Sequence, residues 1–194
     1  MTRLTSPNLH RLPKRLRTER VDTSDVHPRV AIHKKLVELN AIHAMSDGSG
    51  RKRALTRVIV FCNRSEKVDE LASYLDTMGM PCLAITGRSA GRRRGSNNHL
   101  ALFLTSSPSS NVTPTAGSTN EPTSPVPRVL ITTSLLARGL DFAPAVTHVL
   151  IADEPRNEID FLHRAGRTGR AGRSGTVVLF GEATSRGPKR VGFT

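Results

Sequence analysis

The run RVIVFC at 57–62 shows no alternation between polar and apolar residues, so it does not fit a strand with one wet face. A continuous apolar run of that length, rich in β-branched residues, fits a strand covered on both sides. Runs of the same kind return at CLAIT (82–86), RVLITT (128–133), THVLIA (147–152) and TVVLF (176–180). Segments with helical character lie between them. Strands alternating with helices predict an α/β fold: a parallel sheet with helices on both faces.

The intervening segments set the expected organisation. Residues 1–24 are basic and weakly apolar and read as a linker or arm. Asp25 is a candidate N-cap for a helix over 27–44, with Val30, Lys34/Leu36, Val37 and Ile42 roughly following an apolar stripe. Asn63 and Glu66 have the spacing of a capping box. The helix they would open carries Val68, Leu71, Ala72, Leu75 and Met78 on one face, and Gly79 ends it. NNHLALFL (97–104) reads as a shorter helix and SLLARG (134–139) as a turn-helix. Residues 105–127 are nearly all Ser, Thr, Pro, Asn and Gly; they lack the apolar surface needed to offset ordering entropy and are expected to be disordered. The predicted domain therefore runs from 25 to 181, with 105–127 as an insert and 182–194 as a basic tail.

Composition narrows the class. Hydrophobic residues make up 37% and aromatic residues 4%, enough for one modest core. Lys and Arg outnumber Asp and Glu by 29 to 16, a formal charge of +13. That excess implies a polyanionic partner, most simply nucleic acid. Cys62 and Cys82 lie inside apolar runs and read as packing thiols in a reducing compartment. There is no clustered His/Cys pattern, so no metal site is expected. No apolar run approaches the length of a membrane span. The expectation is a soluble, intracellular protein.

The chemistry concentrates at 157–175, NEIDFLHRAGRTGRAGRSG. Asn157 is a good N-cap, with Glu158 and Asp160 in the first turn where the helix dipole favours acids. Ile159 and Leu162 are expected to face the core, and Gly166 to close the helix in the left-handed conformation. Arg167, Arg170 and Arg173 follow, interleaved with glycines. Glycine admits close backbone approach, and arginine offers a planar fork suited to phosphate oxygens. A flexible arginine–glycine tail would have the same composition, but this loop runs straight back into the strand-like 175–180.

HRAGRTGR at 163–170 resembles motif VI of the DEAD-box RNA helicases, whose pattern is HRxGRTGR. VIVFCNRSEKVDEL (58–71) is similar to motif IV, and TTSLLARGLD (132–141) resembles motif V. In the same order, HVLIADEP (148–155) resembles the strand leading into motif VI. The resemblance covers about 57–181 and implies the second RecA-like domain of that family. It implies that Arg167 and Arg170 are arginine fingers for the γ-phosphate of ATP. Asp141 would bind the nucleotide ribose, while His163, Arg164 and Arg138 would couple and brace the two domains. Asn63, Arg64, Gly87, Thr133 and Gly139 would touch the RNA backbone.

ATP and Mg²⁺ would be held mainly by a first RecA-like domain in the same polypeptide. The partners implied are that domain and RNA, with no membrane, in a monomer. Ser134 departs from the family's Asp, Arg64-Ser65-Glu66 replaces its Thr-Arg-Arg run, and Thr86-Gly87-Arg88 stands for its His-Gly-Asp turn. The 194 residues contain no GxxxxGK[ST] phosphate loop, so they are expected not to hydrolyse ATP by themselves. The narrower similarity is to fungal mitochondrial DEAD-box helicases linked to large ribosomal subunit assembly, which makes a mitochondrial location the expectation. Two other readings stay open: a basic RNA-binding or chaperone module without ATPase activity, and the equivalent half of a DNA-directed motor.

Overall fold

The computed structural model describes residues 15–44, 57–87, 103, 127–134, 146–170 and 172–182. The described strands are β1 (Leu16–Asp22), β2 (Arg57–Cys62), β3 (Cys82–Ile85), β4 (Val129–Thr133), β5 (Val146–Ile151) and β6 (Gly175–Gly181). The helices are α1 (Pro28–Ala44), α2 (Ser65–Thr77) and α3 (Glu158–Ala165). The strands form one six-stranded sheet in the order β1-β6-β5-β2-β4-β3. Every pairing is parallel, with Val60 of β2 opposite Ile131 of β4 and Leu150 of β5.

The continuous apolar run of β2 now has its reason. Val58, Val60 and Cys62 pack with Ile32, Leu36, Val68, Leu71 and Leu75 of α1 and α2. Ile59 and Phe61 join Phe103, Leu130, Val149, Ala165 and Val177 on the other face. Both faces are dry, so neither side of the strand tolerates a polar residue. Cys62 is buried and Cys82 half-buried. Burial, with the Asp153 carboxylate nearby, pushes the Cys62 thiol up to about 12. Burial also raises Cys82 to about 11, so both remain protonated packing groups at neutral pH.

Leu16–Asp22 does not behave as linker. It is an edge strand, paired with β6 from Leu16↔Gly175 to Asp22↔Gly181. Lys35 ties it to α1, donating to Glu19 at 3.2 Å and to Glu38 at 3.2 Å. The sheet therefore begins before residue 25. Its charged outer positions are what an exposed strand edge carries, and they imitate a solvated arm.

The expected stripe of α1 is also off by part of a turn. Ala31, Ile32, Leu36 and Leu39 are buried, whereas Val30 and Val37 are 40% and 47% exposed. Asp25 does not cap the helix. The His27 carbonyl accepts the first helical N–H groups, from Val30 at 2.9 Å and Ala31 at 3.2 Å, with Pro28 opening the helix.

In α2, Val68, Leu71 and Leu75 are buried as expected, but Met78 lies outside the packed face, 48% exposed. Gly79 ends the turn with φ 70°. The capping box of Asn63 and Glu66 does not form. Arg64 occupies the N-cap position without a side-chain hydrogen bond. Of the helix expected over 97–104, only Phe103 is described, helical and fully buried. The expected insert (105–127), most of the turn-helix at 134–139 and the tail from 183 lie outside the described residues.

Candidate nucleotide and RNA interface

The chain passes from β4 on one side of β2 to β5 on the other. In an open parallel sheet such a change of side leaves a crevice at the carboxyl ends of the strands. A cleft of about 410 Å³ lies there, lined among others by Asn63, Thr133, Ser134, Arg156, Asp160 and Arg164.

One wall of the cleft is α3. Asn157 caps it as the sequence predicts, its Oδ1 accepting from Asp160 N at 2.8 Å. The buried face is not the expected apolar one. Ile159 is 52% exposed and Leu162 only partly buried, while Asp160, Arg164 and Ala165 point inward. The helix is thus seated through an ion pair as well as through Ala165 and the partly buried Phe161, which pack on the core. Arg164 is 2% exposed, and its Nη2 donates to Asp160 Oδ2 at 2.6 Å and to Asn63 Oδ1 at 2.6 Å. Nη1 reaches the Asp153 carbonyl at 3.4 Å, and the guanidinium lies 5.9 Å from the centre of the Phe61 ring.

Burial alone would raise the Asp160 carboxyl. The Arg156 backbone N–H at 3.2 Å and the Arg164 guanidinium, with the Ser134 hydroxyl close by, hold it below its ordinary value. Ser134 approaches the carboxylate without making a full hydrogen bond. Among the described residues its Oγ and Arg164 Nε are the buried side-chain polar atoms without a partner.

A second knot joins the loops. Asn63 N donates to Asp153 Oδ2 at 2.8 Å, and Asn63 Nδ2 to the Glu154 carbonyl at 3.0 Å. Lys67 pairs with the same Asp153. The ends of β2 and β5 are therefore stitched together directly below the cleft.

Beyond α3, Gly166 takes φ −67°, an ordinary helical value and not the left-handed one. The left-handed glycines are Gly169 at φ 70° and Gly172 at φ 73°, one residue on from Thr168 and two on from Arg170. Arg167 Nε donates to the His163 carbonyl at 3.1 Å, and Arg170 Nε to the Gly166 carbonyl at 2.9 Å. Carbonyls at the end of a helix lack intrahelical partners and carry partial negative charge, so both contacts are favourable. They fix two guanidinium planes in successive turns of one loop. Thr168 anchors that loop, its hydroxyl donating to the Val146 carbonyl at 2.8 Å in a buried position. Gly175 is needed beneath it: a Cβ there would lie 2.5 Å from both Gly169 N and Thr168 Oγ1.

The sequence-predicted residues thus divide. Asn63, Thr133 and Arg164 line one cleft, Arg64 is exposed beside it, and Gly87 is exposed at the end of β3. His163 is exposed, and Arg167 and Arg170 are half-buried on the loop. Arg138, Gly139 and Asp141 lie outside the described residues. Asp153 escaped the sequence reading, and Asp160 was read there only as a first-turn acid and not as the partner of Arg164, although their i,i+4 spacing was a visible signal. No group of three or more His, Cys, Asp or Glu residues among the described residues is placed to hold a metal ion. No described helix is long and apolar enough to cross a membrane.

The family described as helicase conserved C-terminal domain matches residues 117–172, which include the cleft wall and most of the arginine loop. The crystal structure of the E. coli DEAD-box protein SrmB bound to RraA aligns with a TM-score of 0.51 and 26% identity, over 87% of this chain and 76% of that one. This chain is a helicase C-terminal domain of the DEAD-box family. Its relatives include proteins named mitochondrial ATP-dependent RNA helicase MRH4. The one from Cryptococcus neoformans is 36% identical over 92% of this chain and 36% of its own length. The one from Pyricularia oryzae is 34% identical over 93% of this chain and 29% of its own length. The DEAD-box domain described here therefore spans about a third of the relatives it matches.

Proposed function

We propose that this domain is the C-terminal half of an ATP-dependent RNA helicase, contributing arginine fingers and RNA-backbone contacts to a motor completed by a first RecA-like domain. The observation that carries the reading is the anchoring of Arg167 and Arg170 through Nε to helix-end carbonyls. That arrangement orients two planar cationic forks without help from a ligand. ATP and Mg²⁺ sit mainly on the first domain. When the domains close, Arg167 and Arg170 meet the γ-phosphate and offset the charge that spreads over its oxygens as the bond to the leaving group lengthens. Asp141 takes the ribose, and His163 and Arg138 bear on the interdomain face.

Arg64, Gly87, Thr133 and Gly139 form the RNA side, while Asn63, expected there from the resemblance, has its side chain bonded to Arg164 and the Glu154 carbonyl inside the domain. Backbone contacts of this kind position a strand without naming its bases. Local strand separation follows because the backbone held across the closed cleft no longer fits a duplex. The relatives named mitochondrial support a mitochondrial location, with mitochondrial ribosome assembly as the role the resemblance proposes.

The test is Arg170→Ala in the full-length protein. RNA-stimulated ATP turnover should fall by roughly two to three orders of magnitude or more, as for a lost finger. RNA affinity should stay within about twofold, since one guanidinium is a small part of a field built from 29 basic residues. Turnover unchanged together with weakened RNA binding would instead support a basic RNA-binding module that never meets ATP.

A further inference from the structure

Asn63 was read from the sequence as an RNA contact, yet its side chain is committed inside the domain. Its carbonyl oxygen accepts from buried Arg164, its amide donates to the Glu154 carbonyl, and its backbone N–H is held by Asp153. These partners fix the rotamer and the backbone on both sides. Arg64 follows as the N-cap of α2, and Ser65, the first residue of the helix, lines the cleft beside Thr133. Asn63 is therefore the last residue of the β2 end before the surface expected to meet RNA.

On its other side stands Arg164. The fully buried residues of α3 are Asp160, Arg164 and Ala165; Ala165 and the partly buried Phe161 pack on the core, and the polar pair makes the rest of the helix's seat. Its position at the cleft depends in part on the hydrogen bonds of one guanidinium, and Asn63 supplies one of them at 2.6 Å. Arg167 and Arg170 are hung from carbonyls at the end of the same helix. A small displacement of the β2–α2 loop thus reaches both arginines through a continuous chain of polar contacts. Polar contacts are directional, so a loop shift either carries α3 with it or breaks the Asn63–Arg164 bond.

We infer that Asn63 is a positioning residue that couples RNA bound at the β2–α2 loop to the placement of Arg167 and Arg170, acting through Arg164 and α3. The inference rests on the functional reading above. It assigns Asn63 to transmission and leaves RNA contact to Arg64 and Thr133.

Two measurements test it. In the 194-residue chain labelled with ¹⁵N, a short oligo(U) should shift the Nε–H signals of Arg167 and Arg170. In Asn63→Leu, which lacks both the acceptor and the donor, those shifts should vanish while oligo(U) affinity stays within about twofold. Asn63→Asp keeps an oxygen for Arg164 and should retain the shifts. Loss of affinity in Asn63→Leu, with the shifts restored at saturating oligo(U), would make Asn63 an RNA ligand and overturn the inference.

In the full-length protein, Asn63→Leu should lower turnover at saturating RNA by roughly ten- to hundredfold, the range set by one charge-assisted hydrogen bond. Turnover without RNA should hold within about twofold. Equal losses with and without RNA would mean a purely structural role and overturn the inference. Absence of RNA-stimulated turnover in the unaltered protein would remove the functional reading itself. The NMR result on the chain would still decide whether the two loops communicate.

Discussion

Asp160 and Arg164 show why a single residue matters more here than its place on the surface of a sequence plot implies. A buried ion pair adds little against an apolar substitute, but removing one partner leaves a desolvated charge behind. Asp160→Ala strands the Arg164 guanidinium, which is 2% exposed and already has an unpartnered Nε. The expected loss at neutral pH is about 3–5 kcal/mol, read from urea unfolding. The pH dependence has a definite sign. The folded carboxyl is held below its ordinary value, so its contribution is complete above the unfolded value of about 3.9. It is lost as pH falls through the folded value. The gap between the native protein and Asp160→Asn should therefore be constant from about pH 6 to pH 8 and shrink below about pH 4. A gap that widens in acid would mean that Asp160 is not the charged partner of Arg164.

At the scale of elements, what the sequence disclosed follows from how much each segment is buried. β2 is covered on both faces, and its unbroken apolar run marked a doubly covered strand; the alternation of such runs with helices then pointed to the parallel sheet. Asn157 and Gly79 are local punctuation, and their roles were legible because capping chemistry is local. β1 was not legible: as a half-exposed edge strand it keeps Arg17, Thr18 and Arg20 in solvent, and its pairing with β6 joins residues far apart in the chain. The face of α3 was misread for a different reason. A periodicity argument assigns Ile159 inward, whereas the helix turns its Asp160–Arg164 pair to the sheet end. Thr168 was noticed as part of a pattern, but its bond to Val146 shows what the hydroxyl does. The edge strand gives the prediction at this scale. Deleting residues 1–22 uncovers the edge of β6 and removes the Glu19 partner of Lys35. The thermal midpoint should drop by more than about 5 °C. Full retention of the midpoint would mean that β1 contributes pairing without stability.

For the molecule as a whole, the question is whether the arginine loop acts by its position or merely by its charge. Long-range charge belongs to the entire chain, whose formal excess is +13. RNA affinity should accordingly fall steeply and log-linearly with salt as counterions are released, with little preference for sequence. Any basic residue near the surface contributes to that field, and lysine serves as well as arginine. A finger differs. Arg170 is half-buried with Nε committed to the Gly166 carbonyl, whereas Arg173 is exposed past the left-handed Gly172. Lysine at 170 keeps the charge but loses the planar fork and the Nε donor that aims it. In the full-length protein, Arg170→Lys should therefore reduce ATP turnover by at least roughly tenfold, a barrier change of about 1.4 kcal/mol. Arg173→Lys should leave turnover within about twofold, and both should leave the salt slope of RNA binding unchanged because neither alters the charge. Measured side by side, equal and small effects on turnover at the two positions would show that the loop works by charge alone, and the assignment of Arg170 as a finger would then be withdrawn.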